Sequence, residues 1–249
     1  MAKFDGIFEI QGTMKGMTFY KTKDGLLIRA KGGVSKQRIM NDPAFQRTRE
    51  NGSEFSHNAK MSQLLRRSIA SLLPLAKDYR VSSRLSQTMS WVKNLDFESV
   101  RGQRKVAVGI ASESGKQLLR GFNFNANATF GSVFKSQYIL DPVTGVVSIA
   151  GFSPSIHLGT PQGATHVSFS IGVCALDFET EEFETTYSER TNFSVGSGIQ
   201  DFVLTPLTLP LISGTTMFYF LIEFFQEINN EQYPLRNNAY NVLYLMEVV

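Results

Sequence analysis

Residues 31–84 read KGGVSKQRIMNDPAFQRTRENGSEFSHNAKMSQLLRRSIASLLPLAKDYRVSSR. Asp42-Pro43 marks a helix start. Aspartate is a good N-cap, and proline at the first helical position gives up only an N–H that has no partner there. Residues 44–50 can continue as helix. Asn51-Gly52-Ser53 should weaken or break it, since glycine costs about 1 kcal/mol relative to alanine inside a helix. Ser53 can then cap a new start at Glu54. Phe55, Ala59, Leu65, Ile69 and Leu72 share a face at helical spacing, with Lys60, Arg66 and Arg67 off it. Pro74 stops or turns the run. A second helix is expected over 82–95, striped by Leu85, Met89, Val92 and Leu95. Two amphipathic helices joined by a short proline-containing segment predict an αα-hairpin whose apolar faces meet each other or cover a sheet.

On the N-terminal side, residues 7–31 read as a β-meander, with strands at 7–10, 17–21 and 26–31. Asp24-Gly25 supplies a two-residue hairpin turn. Lys15, Lys21, Lys23, Arg29 and Lys31 make the meander basic, and Phe8, Phe19 and Tyr20 interleave with them. Cations and rings on a small sheet suit a single-stranded nucleic acid; the alternative is that the rings pack under the helices. Gly32-Gly33 ends the meander, and Ser35 caps a short turn through Met40.

On the C-terminal side the pattern turns to strands. Residues 106–110 read as one. Residues 122–130 alternate, with Phe122, Phe124, Ala126, Ala128 and Phe130 on one side and Asn123, Asn125, Asn127 and Thr129 on the other, which predicts a half-buried strand. Asp141-Pro142-Val143-Thr144-Gly145 is a turn. Further strands are expected over 146–150, 166–178, 183–187, 192–195, 202–204, 218–226 and 242–248, with Asn229-Asn230 in a hairpin turn. The implied fold class is α+β: an N-terminal β-meander with an αα-hairpin in a basic region, 1–100, then an antiparallel β-sandwich, 101–249.

The 249 residues suffice for a sizeable core, and 42% are hydrophobic, 20 of them phenylalanine. Net charge is +3, but its distribution is uneven. Residues 1–105 hold 20 Lys+Arg against 9 Asp+Glu, and residues 106–249 hold 5 against 13, so the two parts carry +11 and −8. Such asymmetry points to an anionic partner for the basic part, or to contact between oppositely charged parts. One cysteine, Cys174, rules out an internal disulfide. With no signal-like N-terminus and no apolar run of membrane length, a cytoplasmic location is expected.

The chemical motifs do not hold. Residues 109–116 imitate a phosphate loop but have five residues between the glycines and Gln117 where Ser or Thr is needed. Gly151-Phe152-Ser153-Pro154-Ser155 lacks the last glycine of a nucleophile elbow. His57, His157 and His166 are scattered, Cys174 reads as a core residue, and no metal-ligand spacing exists. Asp177, Glu179, Glu181, Glu182 and Glu184 could gather calcium, but a charged hairpin edge accounts for them.

Residues 12–21 (GTMKGMTFYK), 31–35 (KGGVS) and 42–51 (DPAFQRTREN), with 224–229 and 233–235, resemble an uncharacterised family of bacterial hypothetical proteins. The resemblance implies a shared architecture and no activity, cofactor or catalytic residue. The residues themselves point to a non-enzymatic binding protein without a cofactor. Its basic region would dock nucleic acid or another polyanion through Lys31, Arg38, Arg47, Arg49, Lys60, Arg66, Arg67 and Arg84. The alternative is a self-assembling structural protein, a homo-oligomer built on head-to-tail contacts between basic and acidic parts.

Overall fold

The structure, a computed structural model, describes residues 2–3, 10–23, 25–30, 32–235 and 239–249. Its contacts divide into two units, residues 1–50 and 51–249. The change of character expected to mark a boundary near residue 100 therefore falls inside the second unit.

The first unit is a small antiparallel sheet of β1 (Ala2–Lys3), β2 (Gly12–Met14), β3 (Met17–Thr22) and β4 (Gly25–Ala30), in the order β1-β4-β3-β2. Lys15 and Gly16 between β2 and β3 both have positive φ, 46° and 80°, as a type I′ hairpin turn requires. Of the strand expected at 7–10, residues 7–9 lie outside the described residues, as do Asp24 and Lys31. The register places Met14, Met17, Phe19, Leu26 and Ile28 on one face. Thr13, Thr18, Tyr20, Leu27 and Arg29 occupy the other. No residue described between 10 and 50 is buried. Beyond the sheet lies α1 (Lys36–Asn41), where the Ser35 hydroxyl accepts the Arg38 N–H. Asp42 then caps a single 3-10 turn, Pro43–Phe45, that leads into α2 (Gln46–Ser68).

The expected break at 51–53 does not occur: α2 runs through Gly52 without interruption. Packing overrides propensity here, because a helix draws most of its stability from its buried face. That face includes Met61, Leu64 and Leu65, together with Glu54, Asn58, Ser62 and Ser68. Phe55, on the expected stripe, is 70% exposed. After a turn at Leu73–Leu75 comes α3 (Val81–Lys93), burying Leu85, Met89 and Val92 as the spacing predicts.

The strand expected at 106–110 is instead a helix, α4 (Val106–Ile110), succeeded by α5 (Glu113–Leu119). Two glycines explain it. A Cβ on Gly109 would lie 2.0 Å from the Val92 carbonyl oxygen, and one on Gly115 would lie 2.0 Å from the Gly109 carbonyl oxygen. Backbone thus packs directly on backbone, α3 to α4 to α5. The imitation phosphate loop is this helix contact and not a loop.

The remaining elements are α6 (Phe130–Val133), β5 (Ile139–Leu140), β6 (Val147–Phe152), α7 (Pro154–His157), β7 (His166–Leu176), β8 (Phe183–Tyr187), β9 (Thr191–Ser194), β10 (Gln200–Leu204), β11 (Thr215–Ile228), β12 (Glu231–Pro234) and β13 (Val242–Val248). They form two antiparallel sheets. In the larger, β11 and β7 pair from Thr215↔Leu176 to Phe225↔His166. β12 and β13 flank β11, while β8 and β9 flank β7. The smaller sheet has the order β10-β6-β5.

The centre of the larger sheet is buried on both faces, so β7 and β11 read as near-continuous apolar runs. Met217, Tyr219, Leu221, Leu243, Leu245, Cys174 and Leu176 share one core with the helices. Gly172 belongs to that face, where a Cβ would come within 2.8 Å of the Leu72 side chain. Phe218, Phe220, Ile222, Phe224, Val167, Phe169 and Val173 share a second core with Val147, Ile149, Phe202 and Leu204 of the smaller sheet. Burying each such side chain stabilises by about 1.5–3 kcal/mol. The second core is phenylalanine-rich: Phe152, Phe169 and Phe202 sit with ring centres 5.2–5.3 Å apart.

Residues 122–130 do not form the strand their alternation predicts. Gly121 and Phe124 donate N–H groups to Leu245 and Leu243 of β13, so only 121–124 runs along that edge. Asparagine side chains then supply the bonds a ladder would have made. Asn123 Oδ1 accepts the Phe130 N–H at 2.7 Å, Asn125 Oδ1 accepts the Asn127 N–H, and Asn125 Nδ2 donates to the carbonyls of Ala239 and Asn241.

Candidate functional site

The eight cations proposed as an anion site divide by what they already hold. Lys31 lies outside the described residues. Arg38 and Arg47 are exposed and pair along their own segment with Asp42 and Glu50. Arg49 donates to the carbonyls of Ile39 and Asp42 at 2.7 and 3.0 Å, tying α1 to α2. Arg66 donates to the Ser62 carbonyl, and Arg67 is exposed beside it. Lys60 pairs with Glu181, across 121 residues of sequence.

Arg84 is a clamp inside the second unit. It pairs with Asp78, donates to the carbonyls of Asn123 and Phe124, and lies over the Phe122 ring. Burial would raise the Asp78 pKa. The N–H groups of Ala126 and Arg80, with the Arg84 guanidinium, outweigh it and hold the carboxyl below its usual range. Arg84 and Asp78 thus pin the 121–126 segment to α3.

A denser polar cluster lies where α2, α3 and α4 meet. The Glu54 carboxylate, 5% exposed, pairs with buried Lys93 and takes bonds from Arg104 Nε and the Gly102 N–H. Burial alone would raise its pKa; those three donors bring it down to about 2. Asp96 likewise accepts the N–H groups of Glu98, Ser99 and Lys105, and its pKa falls to about 2. These two carboxylates organise residues 96–105, which have little regular structure of their own. The burial of Glu54 and Lys93 was not legible from sequence, where no local signal pairs two charges 39 residues apart.

His57 belongs to the same junction. Lys105, the N-cap of α4, makes no side-chain capping bond, and the imidazole Nε2 instead accepts the Val106 N–H at 2.9 Å. Desolvation, with Lys105 and Lys60 nearby, lowers the His57 pKa below the ordinary 6.5. Glu179 and Glu181 oppose this weakly. A lowered value means that the unfolded chain binds the proton more readily, so stability is full above pH 6.5 and falls as pH drops below it. Urea unfolding should therefore give a lower free energy at mildly acidic than at neutral pH. The difference should shrink in His57→Gln, whose amide oxygen can accept the same N–H without titrating.

The acidic cluster forms the β7–β8 hairpin. Asp177 Oδ1 accepts the Glu179 and Thr180 N–H groups, Glu179 pairs with Lys105 at 2.6 Å, and Glu184 accepts the Leu211 N–H. Among the described residues, no three His, Cys, Asp or Glu side chains come together as a metal site. Ser153 is buried with its N–H on His157 Nδ1, and burial pushes the Cys174 thiol pKa up. His166 sits between Thr165 and Glu227 at the end of β7. Among the described residues, no helix is long and apolar enough to cross a membrane. No protein-family model, curated protein or solved structure matches the chain.

Proposed function

We propose that the chain is a non-enzymatic binding protein whose basic N-terminal region docks an anionic partner, most simply nucleic acid. The observation that carries this reading is the first unit itself. Residues 1–50 hold 10 Lys+Arg against 5 Asp+Glu. Lys15, Arg29, Lys36, Arg38 and Arg47 are all exposed, and Arg29 lies 5.4 Å over the Tyr20 ring on one sheet face. Cations around an aromatic on a small sheet suit phosphates and a stacked base. Exposed pairs such as Arg38–Asp42 contribute little, so their arginines can change partner at small cost. Lys60 and Arg84, held by Glu181 and Asp78, act in this reading as structural cations. The Leu73–Leu75 turn between α2 and α3 supports an αα-hairpin, and the phenylalanine core common to both sheets supports a sandwich.

Fluorescence anisotropy with labelled single-stranded oligonucleotides tests the reading. Binding should weaken linearly in log–log form with salt, by a slope of about −0.7 per phosphate contact. Replacing Lys15, Arg29 and Arg38 by alanine should each reduce the magnitude of that slope by about 0.7. Arg84→Ala should leave it unchanged. Absence of binding to both DNA and RNA at low salt rejects the proposal.

A further inference from the structure

The outer face of the smaller sheet is apolar and open. Its inner side chains, Val147, Ile149, Phe202 and Leu204, fill the second core. Ile139 and Val203 both pair with Ser148 and so share the opposite face, where they are 74% and 54% exposed. Two cavities adjoin at Val203. One, of about 360 Å³, is lined by Ile139, Asp201 and Val203, and the other, of about 410 Å³, by Glu189, Val203 and Leu207. Leu207 is 70% exposed. Each cavity holds one carboxylate, and among the described residues no lysine or arginine lines either. β10 also forms an edge, pairing among the described residues only with β6. Contiguous exposed apolar side chains of this kind mark a protein interface.

The occupant is chosen by charge. An acidic, aliphatic surface suits a basic, adaptable one, and this chain carries such a surface. The first unit has a net charge of +5 and exposes Met14, Met17 and Met40 beside its cations. Methionine moulds itself to irregular apolar surfaces. We infer that the face around Val203 receives the N-terminal unit of a second copy, head to tail. Such a contact is heterologous, so copies add in sequence and close into a ring or extend as a filament. The inference does not depend on nucleic-acid binding, which would use the same unit on copies whose N-terminal surface is not docked.

The test is a charge-reversal pair on full-length, nuclease-treated protein, with mass read by light scattering and folding checked by circular dichroism. The parent should exceed the mass of one copy as concentration rises at low salt. Asp201→Lys with Glu189→Lys should stay at one copy, as should Lys15→Glu with Arg29→Glu and Lys36→Glu. Mixing the two variants should restore assembly, because each then meets a complementary surface on the other. A parent that stays at one copy, a Val203-face variant that assembles as the parent does, or a mixture that stays dissociated overturns the inference. The folded Val203-face variant should still bind oligonucleotide, so loss of assembly and failure of the nucleic-acid reading give different results.

Discussion

Glu54→Ala is expected to destabilise the protein by about 3–5 kcal/mol, the usual cost of leaving a buried charge without its partner. The carboxylate is the counter-ion of Lys93, whose side chain is only 5% exposed, and it also holds Arg104 and the Gly102 N–H. Most of the loss comes from the stranded ammonium and not from the missing attraction. Replacing both Glu54 and Lys93 by methionine should therefore cost far less than Glu54→Ala, since well-packed apolar pairs often substitute for buried ion pairs without penalty. Urea unfolding of the three proteins checks the order. A double variant no more stable than Glu54→Ala would refute this account of the pair. The same carboxylate contributes, with Asp96 and Asp78, to the acid limb of stability. Its pKa is lowered from 4.5 to about 2, so the unfolded state binds the proton first. The contribution is present above pH 4.5 and is lost as pH falls towards 2.

Gly109→Val should have the second largest effect. A Cβ there would sit 2.0 Å from the Val92 carbonyl oxygen, which also accepts the Leu95 N–H at 3.0 Å. Backbone cannot rotate out of the way as a side chain can, so α4 must lift from α3. The cost should reach the upper end of the overpacking range, about 3 kcal/mol, and lower the melting temperature by about 6–12 °C. Gly52→Ala is the matched control. Nothing lies within 4 Å of a Cβ at Gly52, in a helical backbone, so alanine should stabilise by about 0.5–1 kcal/mol. Thermal melts of both variants should move in opposite directions; equal shifts would remove the packing explanation.

Much of the fold was legible in the sequence where one rule acted alone. Ser35 and Asp42-Pro43 open the helical turns at 36–41 and 43–45, Leu65, Ile69 and Leu72 line the buried face of the helical region, and the strands at 183–187 and 242–248 lie at the expected residues. Where two rules competed, the local one lost. Val106-Ala107-Val108 has strand propensity, but Gly109 permits a contact that only a helix makes. Phe122 and Phe124 alternate as in a strand, yet the intervening asparagines bond to the backbone and bend the chain away. Of the site, the concentration of cations in residues 1–105 was legible. Which of them were committed was not: the partners of Lys60 and Arg84 lie 121 and 6 residues away, and nothing local to Lys60 reveals Glu181.

The double-sided burial of β7 and β11 has a consequence for synthesis on the ribosome. The helices of residues 46–119 are made first, yet the sheet that covers them is completed only by β11 at 215–228 and β13 at 242–248. Until those strands emerge, the helical layer presents Met61, Leu65, Leu85 and Met89 to solvent or to whatever holds the nascent chain. Long-range pairing of this kind closes slowly. Until the last strands are made, the unfinished chain therefore exposes apolar surface of the kind that makes incomplete chains prone to aggregate.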